Sequence, residues 1–533
     1  MRSPDPSAGL GSPNRRSFLA LTGVSSAAFV LGTGHPAAAD HDPPAPADPF
    51  TLGVASGDPL PDGVVLWTRL APEPLAADGH GGMPRRSYTV HYEVAEDERF
   101  RRVVTRGPAL ATPELAHSVH AEVRGLRPGR EYFYRFRVGG EISPVGRTRT
   151  APAYDAMPGE LRFATASCQA WYHGHFTAYE HLAQQDLDMV IFLGDYIYEY
   201  AINATNLWRQ GVPLPAAEHN AEIHTLEQYR LRYALFKLDP NLQAAHAAAP
   251  WMITTDDHEV QNNHADEWSE TGIPPEDFLR RRAVAYRAWY ENLPLRATSL
   301  PKGPDLALYR RLRWGRLAEL NVLDNRQHRD PYPAGLVIDN SPERLDERRS
   351  ILGHRQEEWL YDGFRRTEAT WNMMATGVVM TQIDRDTGAG ELYSNDQWDG
   401  FPANQDRLFA ALQRHRVPNP LVLSGDIHRQ VAAELKADWR DPGSATIGTE
   451  LVTGSITSDG DGAETDSYGP LWLSNPHVKL YNARRGYVSC RLTPTELTSE
   501  FKNLPYVTRP GAPVGTLARF VTEAGRPGLN REV

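Results

Sequence analysis

The sequence predicts a layered α/β sandwich preceded by a smaller all-β unit. Three observations carry that expectation. From Phe50 to about Arg149 the local signals are all β, whereas strands alternate with helical segments after Pro158. The apolar runs of the second part have the length of buried strands in a parallel sheet, and they stop abruptly at Gly, Ser or Asp. Four of these ends carry residues with metal-binding chemistry: Cys168, then Asp195 with Tyr198, then Asp257 with His258, then Asp426 with His428.

Composition narrows the field. A chain of 533 residues is too long for one ordinary core and calls for two to three domains. Its 23% charged and 41% hydrophobic residues are those of a soluble globular protein. A net charge of −11 leaves no basic footprint for nucleic acid or an anionic membrane. The N-terminus reads as a targeting segment. Arg15-Arg16-Ser17-Phe18-Leu19 is a twin-arginine pattern, followed by a mild apolar stretch to Leu31 and by Pro36-Ala37-Ala38-Ala39, a small-residue cleavage site. Residues 1–39 are therefore expected to be a twin-arginine signal peptide and 40–49 a polar, proline-rich spacer. The mature chain is expected to be secreted or extracytoplasmic, folded with its cofactor before export. No later apolar run reaches the ~18 residues of a membrane helix.

Taken in order, Val64–Thr68, Tyr88–Val94 and Tyr132–Val138 alternate or run apolar between Gly-Asp-Pro, Pro-Asp-Gly and Pro-Gly turns. Leu126-Arg127-Pro128-Gly129-Arg130-Glu131-Tyr132 has the turn and tyrosine of a fibronectin-type sandwich. Residues 50–150 are read as an accessory β-sandwich and 150–159 as its linker. The second part, 158–525, opens with the strand Leu161–Ala166, a helix over 176–185 and the strand Met189–Leu193. A loop over 201–225, a helix at Leu226–Phe236, the strand Trp251–Thr255 and a helix over 275–292 follow. Further strands are expected at Ala318–Leu323, Met373–Met380, Pro420–Leu423, Glu450–Thr453 and Tyr487–Leu492, and a tail at 526–533.

Singly, the strand ends are weak signals: Asp257 could belong to a helix cap, and Ser424-Gly425-Asp426 is an ordinary turn. Together they form a constellation. Thiolate, phenolate and imidazole suit iron, and carboxylates suit calcium, magnesium or manganese. Asp195 can bridge two hard cations, as in two-metal sites that clamp a phosphoryl oxygen. A neutral His258 beside them would protonate a leaving alkoxide or stabilise transition-state charge. No Walker-A loop, Gly-x-Ser-x-Gly elbow or Gly-x-Gly-x-x-Gly motif follows a strand, which removes the nucleotide-switch, hydrolase-triad and dinucleotide readings. The two cysteines, Cys168 and Cys490, allow either one long-range disulfide or a Cys168 thiolate on iron with both thiols unpaired. The second alternative matches metal loading before export.

Several runs resemble the PhoD-type alkaline phosphatase/phosphodiesterase family. They are Gly194-Asp195-Tyr196-Ile197-Tyr198-Glu199, Asp256-Asp257-His258-Glu259-Val260-Gln261-Asn262-Asn263, Ser167-Cys168-Gln169 and Leu323-Asp324-Asn325-Arg326-Gln327. Asp396-Gln397-Trp398-Asp399-Gly400, Ser424-Gly425-Asp426-Ile427-His428 and Asn475-Pro476-His477 belong with them, as does Gly53-Val54-Ala55-Ser56-Gly57-Asp58-Pro59 in the first unit. The resemblance covers about residues 50–525. It implies an α/β four-layer metallophosphoesterase sandwich behind the N-terminal all-β fibronectin-like domain, and a site of ferric iron (Fe3+) and calcium (Ca2+) hydrolysing phosphate esters. Cys168, Asp195, Tyr198 and His428 match the iron side. Asp195, Asp257 and Asp426 match the calcium side, with Asn262 or Asn263 as weaker candidates. His258, Asp195 and Arg326 are the catalytic candidates, although for Arg326 a structural salt bridge is the favoured reading over a phosphate contact. Trp398 and Asp399 are expected to shape a loop over the site.

Three alternatives stand beside this one. The chain could be a phospholipase D-like diesterase on phospholipid headgroups, a non-catalytic surface protein with a structural metal, or an ordinary zinc phosphatase, which lacks its His-rich spacing here.

Overall fold

The structure, a computed structural model, describes residues 46–332, 335–441 and 443–533. The signal-peptide reading and most of the spacer lie outside the described residues. In the catalytic part, strands Leu161–Ala166, Met189–Phe192 and Trp251–Ile253 run parallel and in register at the centre of one sheet. The pleat sends alternate residues of this apolar segment to opposite faces. Met189, Ile191 and Leu193 join Leu161, Phe163 and Met252 in a core shared with a second sheet. Val190 and Phe192 join Ala164, Ala166, Trp251 and Ile253 under helices Thr177–Ala183, Leu226–Lys237, Pro240–Ala248 and Pro275–Asn292. This is why the strand is apolar at every position: both of its faces are covered.

The second sheet repeats the plan. Ala318–Val322, Trp371–Ala375, Pro420–Ser424 and Thr446–Val452 are parallel neighbours. Leu320, Met373, Leu421 and Leu451 face the first sheet. Met374 and Val422 face outward to Leu360 and Phe364 of helix His354–Arg366 and to Leu408 and Leu412 of helix Pro402–Arg414. The 15-residue strand Val478–Leu492 ties the sheets together at one edge. Its first half pairs with Gln430–Ala433 and its second with Leu161–Thr165. Local chemistry starts the helices. Thr225 and Gln228 form a reciprocal capping box, and Asp239 accepts from Asn241 and Leu242 ahead of Pro240.

In the first part, Val54–Leu60, Gly63–Arg69 and Ser118–Arg124 form an antiparallel sheet. It faces a second one of Tyr88–Ala95, Val103–Ala111, Glu131–Val138 and Gly146–Arg149 across a core that includes Val64, Leu66, Val90, Tyr134 and Phe136. The Tyr132 hydroxyl accepts from the Arg127 backbone N–H at 3.0 Å, closing the turn before its strand. This unit joins the catalytic sheet directly, through a parallel pairing of Gly57 with Trp251. A Cβ on Gly57 would sit 2.4 Å from the Pro294 carbonyl, so only glycine permits the seam.

The strand expected over Met373–Met380 stops at Ala375. Gly377 passes so close to Asp256 that an added Cβ would lie 2.7 Å from its Oδ1, and the chain leaves the sheet to make that approach. Residues 526–533 are not a bare tail, because Arg526–Arg531 forms a hairpin strand on Gly515–Glu523. Its mixed, polar sequence hides a strand that pairs along the main chain and packs only Leu529 against the core.

Candidate metal centre

The loops that follow the parallel strands meet at one end of the two sheets. The Cys168 N–H donates to the Gly194 carbonyl at 3.1 Å, and the Gly425 N–H to the Gly377 carbonyl at 2.9 Å. Their backbone is unusual. Cys168, Asp195, Asn263, Asp426 and His428 all have φ between 52° and 67°, the left-handed region that costs non-glycine residues about 1–3 kcal/mol each. Gly194, at φ 107°, lies where a Cβ would come within 2.5 Å of the Asp256 Cβ. Strain of this kind recurs elsewhere in the chain, but its presence in five candidate ligands fits a site whose geometry overrides local preference.

Three overlapping clusters result. Ligand atoms of Cys168, Asp195 and His428 lie within 4.8 Å of one another, as do those of Asp195, Asp257 and His258, and those of Asp256, Asp257 and Asp426. Asp195 belongs to the first two and Asp257 to the last two. The Tyr198 hydroxyl stands in the first cluster, 3.0 Å from Asp195 Oδ2 and 3.1 Å from His428 Nε2, and it accepts from Ser458 Oγ at 2.7 Å. Cys168, Asp195, Tyr198, Asp256 and Asp257 are buried, whereas Asp426 and His428 are half-buried and line the opening. Both cysteines are unpaired, and Cys490 lies in the core between the sheets, away from these loops.

The donor set fits cations. Asp195 Oδ1 and Asp256 Oδ2 are buried with no hydrogen-bond partner, a state that costs free energy unless a positive charge faces them. Burial, reinforced by neighbouring carboxylates, pushes Asp195 and Asp426 well above the usual carboxylate range and Asp256 up to about 6. Burial and then Asp195 also raise the Cys168 thiol and the Tyr198 phenol. Burial thus favours the protonated form of these groups, and a bound cation would favour the anionic one.

Arg326 corrects the catalytic assignment. It is fully buried, with Nε 2.6 Å from Asp256 Oδ1 and Nη1 and Nη2 on Asp396 at 2.6 and 3.1 Å. Nη1 also donates to the Tyr332 hydroxyl, and Nη2 lies 3.7 Å from both Asp257 and Asp426. Its donors are committed to protein, so it is the internal counter-charge of the carboxylate cluster. Against burial, Arg326 and His258 hold Asp257 below its ordinary value. Asn263 likewise serves Asp257: its backbone N–H donates to Oδ2 at 2.6 Å while its amide donates to Glu270.

His258 was expected to be neutral. Its Nδ1 is 2.7 Å from Glu199 Oε2, and the Glu199, Asp257 and Asp195 carboxylates outweigh burial and raise it well above the ordinary imidazole value. In the Asp396–Gly400 run, contact with the site comes from Asp396 and from Gln397, whose amide donates to Asp426 Oδ2 at 2.6 Å. Trp398 and Asp399 are buried one turn further on. Sequence reasoning also missed Asp256 as a ligand candidate, Glu199, and Asp459, which accepts from His428 Nδ1 at 2.8 Å. Asp256 and Glu199 stand beside recognised residues. Asp459 lies in a Ser-Asp-Gly loop with no strand end to flag it.

Comparison with known proteins agrees with this geometry. Residues 163–501 match the family model "PhoD-like phosphatase", and residues 36–152 match "PhoD-like phosphatase, N-terminal domain". Alkaline phosphatase D of Bacillus subtilis (strain 168) is 46% identical over 490 residues, 91% of this chain and 82% of that protein. A solved structure of PhoD superposes with a TM-score of 0.87 at 45% identity, covering 91% of this chain and 92% of that one. With two family models and a relative at this identity over most of its length, the chain belongs to the PhoD-like phosphatase family.

Proposed function

We propose that this protein is an exported alkaline phosphatase that hydrolyses phosphomonoesters and phosphodiesters at an iron–calcium centre. Family membership makes it a phosphoric ester hydrolase, which removes the reading as a non-catalytic surface protein. The observation that carries the metal assignment is the division of donors around Asp195. On one side lie a thiol, a phenol and an imidazole, and on the other the carboxylates of Asp256, Asp257 and Asp426, with the His258 ring beside Asp195 and Asp257. In this reading Cys168, Asp195, Tyr198 and His428 hold ferric iron, and Asp195, Asp257 and Asp426, joined by Asp256, hold calcium. Oxygen-only ligands favour calcium over zinc. The stacking of helices, sheet, sheet and helices supports the four-layer metallophosphoesterase class, and the Tyr132 turn supports a fibronectin-like first domain over 50–150, with the catalytic domain from 158 onward.

Held by these residues, two ions would supply Lewis acidity to the phosphoryl oxygens and a water of lowered pKa. The chain's own residues do the rest. Asn263 and Arg326 orient Asp257. Asp459 fixes the tautomer of His428 through Nδ1, leaving Nε2 toward Tyr198. Glu199 holds the His258 ring by Nδ1, and the remaining nitrogen of this 8% exposed residue is available to donate a proton to the departing oxygen.

The test uses protein purified after export from its own cells. Elemental analysis should find iron and calcium, phenolate-to-iron charge transfer should give a visible band, and nitrophenyl phosphate should be hydrolysed. In Tyr198→Phe the band should vanish while the fold persists. An intact band would remove Tyr198 from the iron, and zinc as the sole metal would overturn the assignment.

A further inference from the structure

Beside the centre stands an aromatic surface that hydrolysis itself does not need. Trp208 is 42% exposed, although large aromatic side chains carry much of a core's apolar burial. Its indole is nevertheless fixed. One face stacks on the His173 imidazole at 4.1 Å and 13°. The indole N–H donates to the Thr205 carbonyl at 3.1 Å, and the Trp208 backbone N–H donates to the Tyr172 carbonyl at 2.8 Å. The ring edge lies over Gly460, where a Cβ would come within 3.2 Å of Cε3. The other face is left to solvent.

The stack is wired to the centre. His173 Nδ1 accepts from the backbone N–H of Asp459, whose carboxylate accepts from His428. The platform is therefore two residues from a candidate iron ligand, and its position is set by the same loop. Burial holds His173 low, at about 4, so the imidazole under the indole is neutral above pH 5 and the stack carries no charge. Tyr200 is also 41% exposed and meets the His258 ring edge-on at 5.3 Å. A rigid, uncharged π-face with one side open stacks planar groups regardless of their hydrogen-bonding pattern.

We propose that Trp208 is a specificity-determining residue that stacks a planar organic substituent, aryl or nucleobase, of the phosphodiester held at the centre. The inference rests on the hydrolase reading above and names its substrate class: diesters with a flat group next to the phosphate, in preference to alkyl diesters.

The experiment compares bis(nitrophenyl) phosphate with ethyl nitrophenyl phosphate. The leaving group is the same and only the retained substituent differs. The parent enzyme should show a KM about 10-fold lower for the bis-aryl diester, the size expected from one stacked ring. The ratio should collapse toward one in Trp208→Ala and largely return in Trp208→Phe. A parent ratio near one, or a ratio that survives in Trp208→Ala, overturns the proposal. Calorimetric binding of adenosine 5′-monophosphate against ribose 5-phosphate separates the two readings. If the parent hydrolyses neither diester but binds the nucleotide more tightly in a Trp208-dependent way, the hydrolase reading fails and this one stands. Equal affinities sink this one.

Discussion

The two halves of the centre solve the problem of buried charge differently. Around Tyr198 the donors are a thiol, a phenol, an imidazole and one shared carboxylate, so the half is close to neutral until it is deprotonated. Around Asp257 three carboxylates crowd together, and the fold supplies a resident cation, Arg326, buried among them and shared with Asp396. Burial raises the proton affinity of groups in both halves, but only the second also holds a permanent ion pair. The first therefore depends on a cation for its ligand state and the second for only part of its charge balance. Asp195, common to the first half and to the His258 cluster, is where the two solutions join.

The strongest test of that junction is Asp195→Ala. A bridge that holds both ions should lose both together, and turnover should fall far beyond the roughly 10–100-fold typical of residues that only support a ligand. Metal content and nitrophenyl phosphate hydrolysis are the measurements. Retention of one full equivalent of either metal would separate the halves and move the bridge elsewhere.

Arg326→Gln should strike the carboxylate half alone. Removing one member of a buried ion-pair network leaves uncompensated charge and costs about 3–5 kcal/mol. The thermal or denaturant midpoint of the metal-depleted protein should fall accordingly, and added calcium should recover much of the loss by mass action. The visible band assigned to Tyr198 should survive. If stability were unchanged, Arg326 would not be the counter-charge that its contacts make it.

The same division explains what could be read from the sequence. The ligands of both halves end apolar strands, and such strands are legible because both faces of a buried parallel sheet select apolar residues, as at Met189–Leu193. The helix at Pro275–Asn292 was legible as a strongly helical, Arg-rich run. The charge-balancing residues were not. Glu199, Asp396 and Asp459 reach the centre from loops whose conformation is set by tertiary contacts, and no periodicity announces them. Arg326 was visible as a residue but ambiguous in role, since only the geometry shows that Asp256 and Asp396 consume its donors. The terminal hairpin escaped because its polar sequence carries little core packing beyond Leu529.

A smaller effect is expected from Glu199→Gln, which changes charge but not shape. In the parent the Glu199, Asp257 and Asp195 carboxylates, working against burial, raise His258 well above its ordinary value. The protonated form is then present at low and neutral pH and is lost as pH rises through the raised value. Weakening the nearest carboxylate should bring that loss to lower pH, so the alkaline limb of the kcat profile should shift to the acid side. The drop at alkaline pH should be about 10-fold, part of the 10²–10⁴ that a proton donor contributes. An unmoved alkaline limb would mean that His258 is not the group whose proton matters.

The smallest effect belongs to the second thiol, and it sharpens the comparison by chemistry alone. Cys168 and Cys490 are both buried and unpaired. Cys168 ends its strand in a left-handed turn with its sulfur among Asp195 and His428. Cys490 sits in the middle of Val478–Leu492, its backbone paired to Phe163 and Ser499 and its side chain packed with Phe163, Phe501 and Phe520. Burial raises both thiols, but only Cys168 has a cluster of ligands through which a cation could reverse that. Cys490→Ser should therefore place a hydroxyl among aromatic rings at a cost of about 1–3 kcal/mol. The visible band, iron content and turnover of the folded protein should stay unchanged. Cys168→Ser should lose iron and most turnover while its melting temperature after chelation remains near that of the chelated parent. A Cys168–Cys490 crosslink in a non-reducing peptide map, or iron lost from Cys490→Ser, would erase the distinction. The thiol would then have to be read as part of the framework and not of the centre.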